Sequence, residues 1–395
     1  MRRRFSDNFA ATGVIHRAVA VFRLARSAAG KLARITVLAV FASSILSACS
    51  PFYVLRAAYE EGKILWRRES IAQFLEKADV NQDTQEKLKL VLAVREYARD
   101  VLKMNVGGSY ASYSYVDRPD LTFILTAAPK TELKPYTWWF LIVGRVPYKG
   151  YFSKADADGA AADLQSEGYD TNIRTSAAFS TLGWFDDPLL SHLLRYEKVT
   201  LSEVVFHELF HNTLYVKGAG NFNESSANFI GHRAAIDFFR DRAGANSAEH
   251  QRAVQEWQEE LEFSDFMEKL AESLSELYGK EISLEEKLRL REQIFDRGKK
   301  EWEERIAARP AHRFRGFAKQ PLNNAVMIHY LLYLKNLRLF EAVYEAREKN
   351  LLKSIDAIRE AVKEGGEPFE RVQSLLDKRP LTHAPAVSTV SSSAR

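Results

Sequence analysis

The chain has 395 residues, 46% of them hydrophobic and 27% charged, which excludes a disordered or fibrous protein and leaves room for one large globular domain or two modest ones. Its formal charge of +4 is unevenly spread: residues 1–48 carry eight of the 56 Lys and Arg residues and one of the 52 acids, so the remainder is mildly acidic. The basic excess belongs to the leader, and nothing in the charge pattern favours nucleic acid as a partner.

In that leader, Arg2, Arg3, Arg4, Arg17, Arg23, Arg26, Lys31 and Arg34 precede the apolar run ITVLAVFASSIL at 35–46, which has signal-peptide length and is short for a spanning helix. Leu46-Ser47-Ala48-Cys49 follows, and Cys49 is the only cysteine. The run resembles a bacterial lipobox. That implies a signal peptide over 1–48, a lipid on the Cys49 thiol, and a membrane-anchored protein on the periplasmic side of the cell envelope. Ser50 resembles the sorting pattern of the outer membrane. A plain signal anchor with an incidental cysteine is the alternative. With its one cysteine lipidated, the mature chain has none left for a disulfide, and its stability rests on core packing with a metal as the remaining cross-link.

Residues 51–105 read as helices: ILWRRESIAQFL and LKLVLAVREYARDVL repeat apolar residues at three- and four-residue spacing around the polar turn DVNQD. Between about 106 and 180 the pattern changes to a small sheet, with SYSYV, LTFILTA and WWFLIVGRVPY as strands, a helix ending at Gly168, the strand TNIRT, and the loop STLGWFDDP. From Val199 the chain reads as helical, with active-site helices over 199–240 and a helical part over 249–378. Residues 249–310 suit a solvated, charged hairpin, and LNNAVMIHYLLYLKNLRLFEAVYEAR a more apolar helix. The low-complexity tail 379–395 is expected to be disordered. The fold class expected is α+β, predominantly helical, with the small sheet preceding the helix that holds the stretch HELFHNTLYVKGAGNFNESSANF at 207–229.

That stretch carries the chemistry. Thr200 and Glu203 have capping-box spacing for a helix through LSEVVFHELFHNTLYVK. On it, His207 and His211 share one face a turn apart, where two imidazoles can converge on one zinc ion, and Glu208 can reach a metal-bound water without ligating the metal. A third ligand is required. Position 217 is Lys rather than the His of the long zincin pattern, whereas Gly218 and Gly220 provide a turn and Asn223-Glu224-Ser225-Ser226-Ala227 opens a returning helix. Glu224 is the natural third ligand; its alternative is a capping-box partnership with Asn221. His232 lies two turns beyond Glu224, too far for both to bind one ion.

These motifs resemble the gluzincins, zinc metallopeptidases in which a second helix donates a glutamate, often within N-E-x-x-A. More closely, the chain resembles a bacterial family of predicted aminopeptidases that are lipoproteins. The similarity extends over SPFYVLRAAYEEGKILWRR, YKGYF, STLGWFDDPLL and LNNAVMIHY, most of residues 49–345. It implies a zincin-like metallopeptidase domain over 49–378, one Zn²⁺ held by His207, His211 and Glu224, Glu208 as catalytic base, and a peptide substrate. Two departures stand out: only 12 residues separate His211 from Glu224, and no G-A-M-E-N-type motif for a substrate α-amine is present. The residues imply metal-assisted amide hydrolysis. Tyr330, His329 and Tyr215 are candidates to stabilise the oxyanion, and WWFLIVGRV for an edge strand on which a peptide pairs. A non-enzymatic envelope scaffold, with a structural zinc or none, is the alternative function.

Overall fold

A computed structural model describes residues 62–117, 122–140, 144–176 and 186–377. The leader with Cys49, the tail from 379, and residues 180–185 of the STLGWFDDPLL stretch lie outside the described residues. Those up to Trp138 and from Arg145 onward form one compact unit, which holds the candidate site described below. They are mostly helical with small sheets, the α+β class expected. Among the described residues, no helix is long and apolar enough to cross a membrane.

The first part departs from the all-helical expectation. Glu69–Ser70 (β1) interrupts the periodic run before the short helix Ile71–Leu75 (α1), because its backbone pairs antiparallel with Ser112–Ser114 (β2). Tertiary backbone pairing overrides local helical spacing there. Gln82–Asp100 (α2) is the helix expected after the polar turn, capped by the Asn81 side chain, which accepts from Thr84 N at 2.9 Å.

The central sheet has Thr122–Pro129 (β3) in the middle. Short strands follow at Trp138–Phe140 (β4) and Gly144–Val146 (β5), and residues 141–143 of the WWFLIVGRV run lie outside the described residues. Lys149–Tyr151 (β6) pairs antiparallel with one side of β3, and Tyr169–Ser176 (β7) with the other. Between them runs the helix Lys154–Ser166 (α3), which packs Ala157, Ala161 and Leu164 on Leu125, Ala127 and Tyr151 of the sheet. Gly168, at φ +90°, makes the turn from α3 into β7. Leu189–Leu190 (β8) adds in parallel to β2.

Lys198–His211 (α4), Gly220–Ala243 (α5), Ala248–Tyr278 (α6) and Leu284–Ile306 (α7) form the helical body. The expected hairpin at 249–310 is α6 and α7, but α6 is not a simple solvated helix: Glu256, Glu259 and Glu260 are buried. The long apolar helix expected after Leu322 is two, Asn324–Leu334 (α8) and Leu337–Ala346 (α9). Asn336 breaks it in the left-handed region at φ 57°, with its N–H donated to Glu268 Oε1 at 2.5 Å. Leu351–Lys363 (α10) and Pro368–Gln373 (α11) complete the body.

The two asparagines before α8 fasten it to the free face of the sheet. Asn323 caps the helix by accepting from Val326 N and donates to Thr171 O, while Asn324 donates to Pro129 O and Glu132 O and accepts from the Tyr278 hydroxyl. Asp170 Oδ2 on β7 accepts from Asn324 N at 3.0 Å and from Arg291 Nη1 of α7 at 2.7 Å, with both charged side chains under 10% exposed. Removing one partner of a buried ion pair strands the other. Asp170→Ala is therefore expected to lower the unfolding free energy by about 3 kcal/mol, the low end of the usual range because Arg291 keeps Glu292 and Lys130 O. Urea denaturation of the purified protein checks this; a loss under about 1 kcal/mol would show that the Asp170–Arg291 pair is not what holds α8 to the sheet.

Candidate metal centre

Helix α4 is buried on most of its circumference by Val199, Leu201, Val205, Phe206, Leu209 and Phe210. This leaves His207 and His211 on the side that meets α5. The closeness of α4 and α5 depends on Gly231: a Cβ there would lie 2.7 Å from Glu203 O and 3.3 Å from His207 Cβ.

The expected helix through Lys217 ends six residues earlier, at His211. Thr213 N and Leu214 N both turn back to Phe210 O, and Asn105 takes Asn212 O. Asn223 then clamps the loop with its side-chain amide, accepting from Val216 N and donating to Val216 O, each at 2.8 Å. Gly218 supplies the turn at φ +81°. The returning helix starts at Gly220, so Asn221 and Glu224 both lie inside it, and Glu224 faces the histidines. The Asn in N-E-x-x-A thus holds the loop that lets the next residue reach the site.

The structure brings His207, His211 and Glu224 together. His211 Nε2 lies 3.1 Å from His207 Nε2, and Glu224 Oε2 lies 3.3 Å from His207 Nε2 and 3.7 Å from His211 Nε2. Ligands about 2.0–2.1 Å from a tetrahedral ion stand about 3.3–3.4 Å apart, so these spacings and this donor set fit a zinc ion. It is the one such group of His, Cys, Asp and Glu among the described residues. Burial disfavours charge on Glu224, but the two imidazoles outweigh it and hold the carboxyl well below its usual range. Burial likewise would push His211 down, yet Glu224 and then Glu208 push it up. Glu208 is partly buried on α4, and its carboxylate adds to the burial that pushes the Tyr110 phenol up.

Glu203 and His232 have neither role weighed from sequence. No side chain caps α4, which begins at Lys198; Thr200 Oγ1 meets Glu256 Oε2 at 3.4 Å. Glu203 Oε1 lies 2.8 Å from His232 Nδ1 instead, and Arg313 Nη1 stands 3.3 Å from Glu260 Oε2 and 3.9 Å from Glu203 Oε2. This buried network ties α4, α5 and α6 together one turn from the metal ligands. Burial would raise the Glu203 carboxyl, but His232 and Arg313 hold it down; burial and the Glu203 charge push Glu256 up.

The aromatic candidates sort differently from their sequence order. Tyr330 packs among Phe263 and Phe317 and its hydroxyl accepts from Gln320, so it belongs to the core. Tyr215 is 47% exposed, near enough to Glu224 to feel its charge. His329 lies between the rings of Tyr330 and Tyr333, with its Nδ1 sealed from solvent and unpartnered. The residue sequence reasoning missed is Tyr333, one turn beyond His329, whose ring centroid is 6.2 Å from that of His207. Arg174 of β7 donates to Tyr333 Oη at 3.0 Å, and Tyr148 stands by the same group, where burial and the Glu224 carboxylate push its phenol up. Helical spacing from His329 could have flagged Tyr333; nothing local in TNIRT marks Arg174.

Two imidazoles and two carboxylates on adjoining helices, with tyrosines and an arginine closing round them, form a centre suited to hydrolytic metal chemistry. A family model described as "Putative aminopeptidase" matches residues 52–372, and the chain belongs to that family. Comparison with curated proteins and with solved structures gives no match.

Burial, and secondarily the Arg174 charge, push His329 down to about 3, so it stays neutral in the fold while the unfolded chain takes up a proton below about pH 6.5. Stability from this residue is complete above pH 6.5 and is lost as pH falls toward 3. Between pH 7 and 5.5 the loss is about 1 kcal/mol. His329→Gln is expected to flatten the pH dependence of the urea-unfolding free energy by that amount; equal slopes in the two proteins would mean that His329 titrates normally in the fold.

Proposed function

We propose that this protein is a zinc-dependent peptidase of the gluzincin type with a zincin-like domain, lipid-anchored at Cys49 in the bacterial cell envelope on the periplasmic side. The observation that carries the reading is the convergence of His207, His211 and Glu224 to spacings that suit one tetrahedral ion, with Glu208 on the same helix and outside the ligand set. Family membership supports peptide hydrolysis. The lipobox at 46–49 supports the anchor.

His207, His211 and Glu224 would hold the zinc ion, which when bound would supply a Lewis acid for the scissile carbonyl and lower the pKa of a water toward neutrality. Glu208 takes the proton of the attacking water and delivers it to the departing amine. Tyr333 donates a hydrogen bond from its hydroxyl to the developing oxyanion. Arg174 supports this role: its N–H fills a lone pair on Tyr333 Oη, which leaves the phenol's own O–H to point elsewhere. Burial and the Glu224 carboxylate push the phenol up, which keeps that proton in place at neutral pH.

Elemental analysis is expected to find one zinc per chain, markedly lost in Glu224→Ala. Glu208→Gln is expected to keep the zinc and lower kcat on aminoacyl peptides by about 10²–10⁴. Tyr333→Phe is expected to lower kcat by about 10²–10³ at little cost in KM. A protein that takes up no zinc after reconstitution, or a Glu208→Gln variant with unchanged turnover, would overturn the reading.

A further inference from the structure

Arg174 is a cation on the face of β7 that meets α8. The alternation of β7 puts Tyr169 and Ile173 on the face packed by α3, and Asp170, Asn172 and Arg174 on the face covered by α8. Asp170 on that face is satisfied by Arg291 and Asn324. Arg174 has no carboxylate within ion-pair distance among the described residues. Among the described residues its one hydrogen bond is to the Tyr333 hydroxyl, and its Nε is sealed from solvent without a partner. A guanidinium has five N–H groups in a fixed fork, so one neutral acceptor leaves most of its capacity unused. A half-buried guanidinium with a sealed Nε and no carboxylate beside it among the described residues needs an explanation.

Its position suggests one. The Tyr333 ring is near both Arg174 and the metal centre, 5.7 Å from the guanidinium carbon and 6.2 Å from the His207 ring centroid. Tyr148 and His329 flank the same guanidinium and give it rings but no countercharge. An extended peptide advances about 3.3–3.6 Å per residue. A carbonyl held at the metal centre would therefore bring a group one or two residues further along the peptide to the guanidinium fork.

We propose that Arg174 is a substrate-binding residue that receives a carboxylate one or two residues beyond the scissile bond, so that the preferred substrates are short peptides anionic at that point. This rests on the peptidase reading above and names its substrate class. The carboxylate is either the free C-terminus of a di- or tripeptide or an Asp or Glu side chain at the same distance, and both would form the same bidentate pair. The missing α-amine recognition motif is consistent with this, since the substrate is gripped on the other side of the cleaved bond.

The test measures binding by calorimetry to the zinc-loaded protein, with turnover alongside. Dialanine and trialanine are compared with their C-terminal amides, and Ala-Glu-amide with Ala-Gln-amide. The wild type is expected to bind the anionic member of at least one pair about ten- to a hundredfold more tightly, the range for a charge-assisted bond. The first pairs report the terminal carboxylate and the last pair a side chain. Arg174→Met is expected to erase that preference while leaving the amides' affinity and the zinc content unchanged, and Arg174→Lys to restore part of it. Tyr333→Phe, which removes the one partner of Arg174, is expected to keep the preference even as turnover falls. Equal binding of acid and amide by the wild type, no binding of either at millimolar concentration, or an Arg174→Met variant that weakens both alike would overturn the proposal. In the last case Arg174 acts only through Tyr333. A chain that holds no zinc overturns the peptidase reading instead, and the two failures are separable by the metal analysis.

Discussion

The candidate centre depends on how closely α4 and α5 approach. Three side chains from two helices can meet within a few ångströms only if the backbones nearly touch, and Gly231 is where they do, against Glu203 O and the Cβ of His207. The short connection is the other half of the constraint. Only the residues between His211 and Glu224 are available to reverse the chain, and Asn223 makes the reversal rigid by bonding both polar groups of the Val216 peptide unit. A loose loop of that length would hold the carboxylate in many positions; a clamped one holds it in one.

A second layer of order lies one turn back along α4. Glu203, His232, Glu256, Glu260 and Arg313 are more charge than an interior normally tolerates, and each must be met by a partner or a proton. Such a network adds little net stability, yet it admits few arrangements. If α4 rotates or slides by a residue, Glu203 loses His232 and a bare carboxylate is left in the core. The orientation of His207 and His211 is thereby tied to pairings that never touch the site. Asn228 extends the link by donating to Glu260 and to Tyr333 O, which joins the network to the helix that carries the site's tyrosine.

What could be read in the sequence was what helical periodicity encodes. His207, Glu208 and His211 follow from spacing alone, the Gly218 turn from its left-handed preference, and Glu224 from the helix that returns after it. The structure departs from the sequence pattern where a distant partner outcompetes a local one. Glu203 has capping-box spacing from Thr200, but a buried imidazole offers it more than a backbone N–H at a helix end. The helix through Lys217 stops at His211 because Asn105, from far along the chain, takes Asn212 O, and Asn223, seven residues on, takes both polar groups of Val216. Asn336 splits one long amphipathic run into two helices for the same reason, with Glu268 meeting the N–H that the break exposes. Arg174 and Tyr333 lie 159 residues apart, and no local pattern signals that a strand and a helix will bring them together.

Charge ties these layers to the chemistry proposed. Glu208 and Glu224 place two carboxylates in one partly enclosed region, and Arg174 is the fixed cation that stands near them. Burial would push His211 down, yet the Glu224 and then the Glu208 carboxylate push it toward its protonated form. A divalent ion would replace that proton, release the imidazoles as neutral ligands, and, together with Arg174, leave the region with one more positive charge than negative. A surplus of that sign disfavours a cationic group next to the metal and favours an anionic one. It favours the oxyanion that forms as the amide is attacked, and a carboxylate held just beyond it. On this reasoning the same excess charge that would speed the reaction also selects the peptide, so substrate preference and catalysis in this centre share one electrostatic origin.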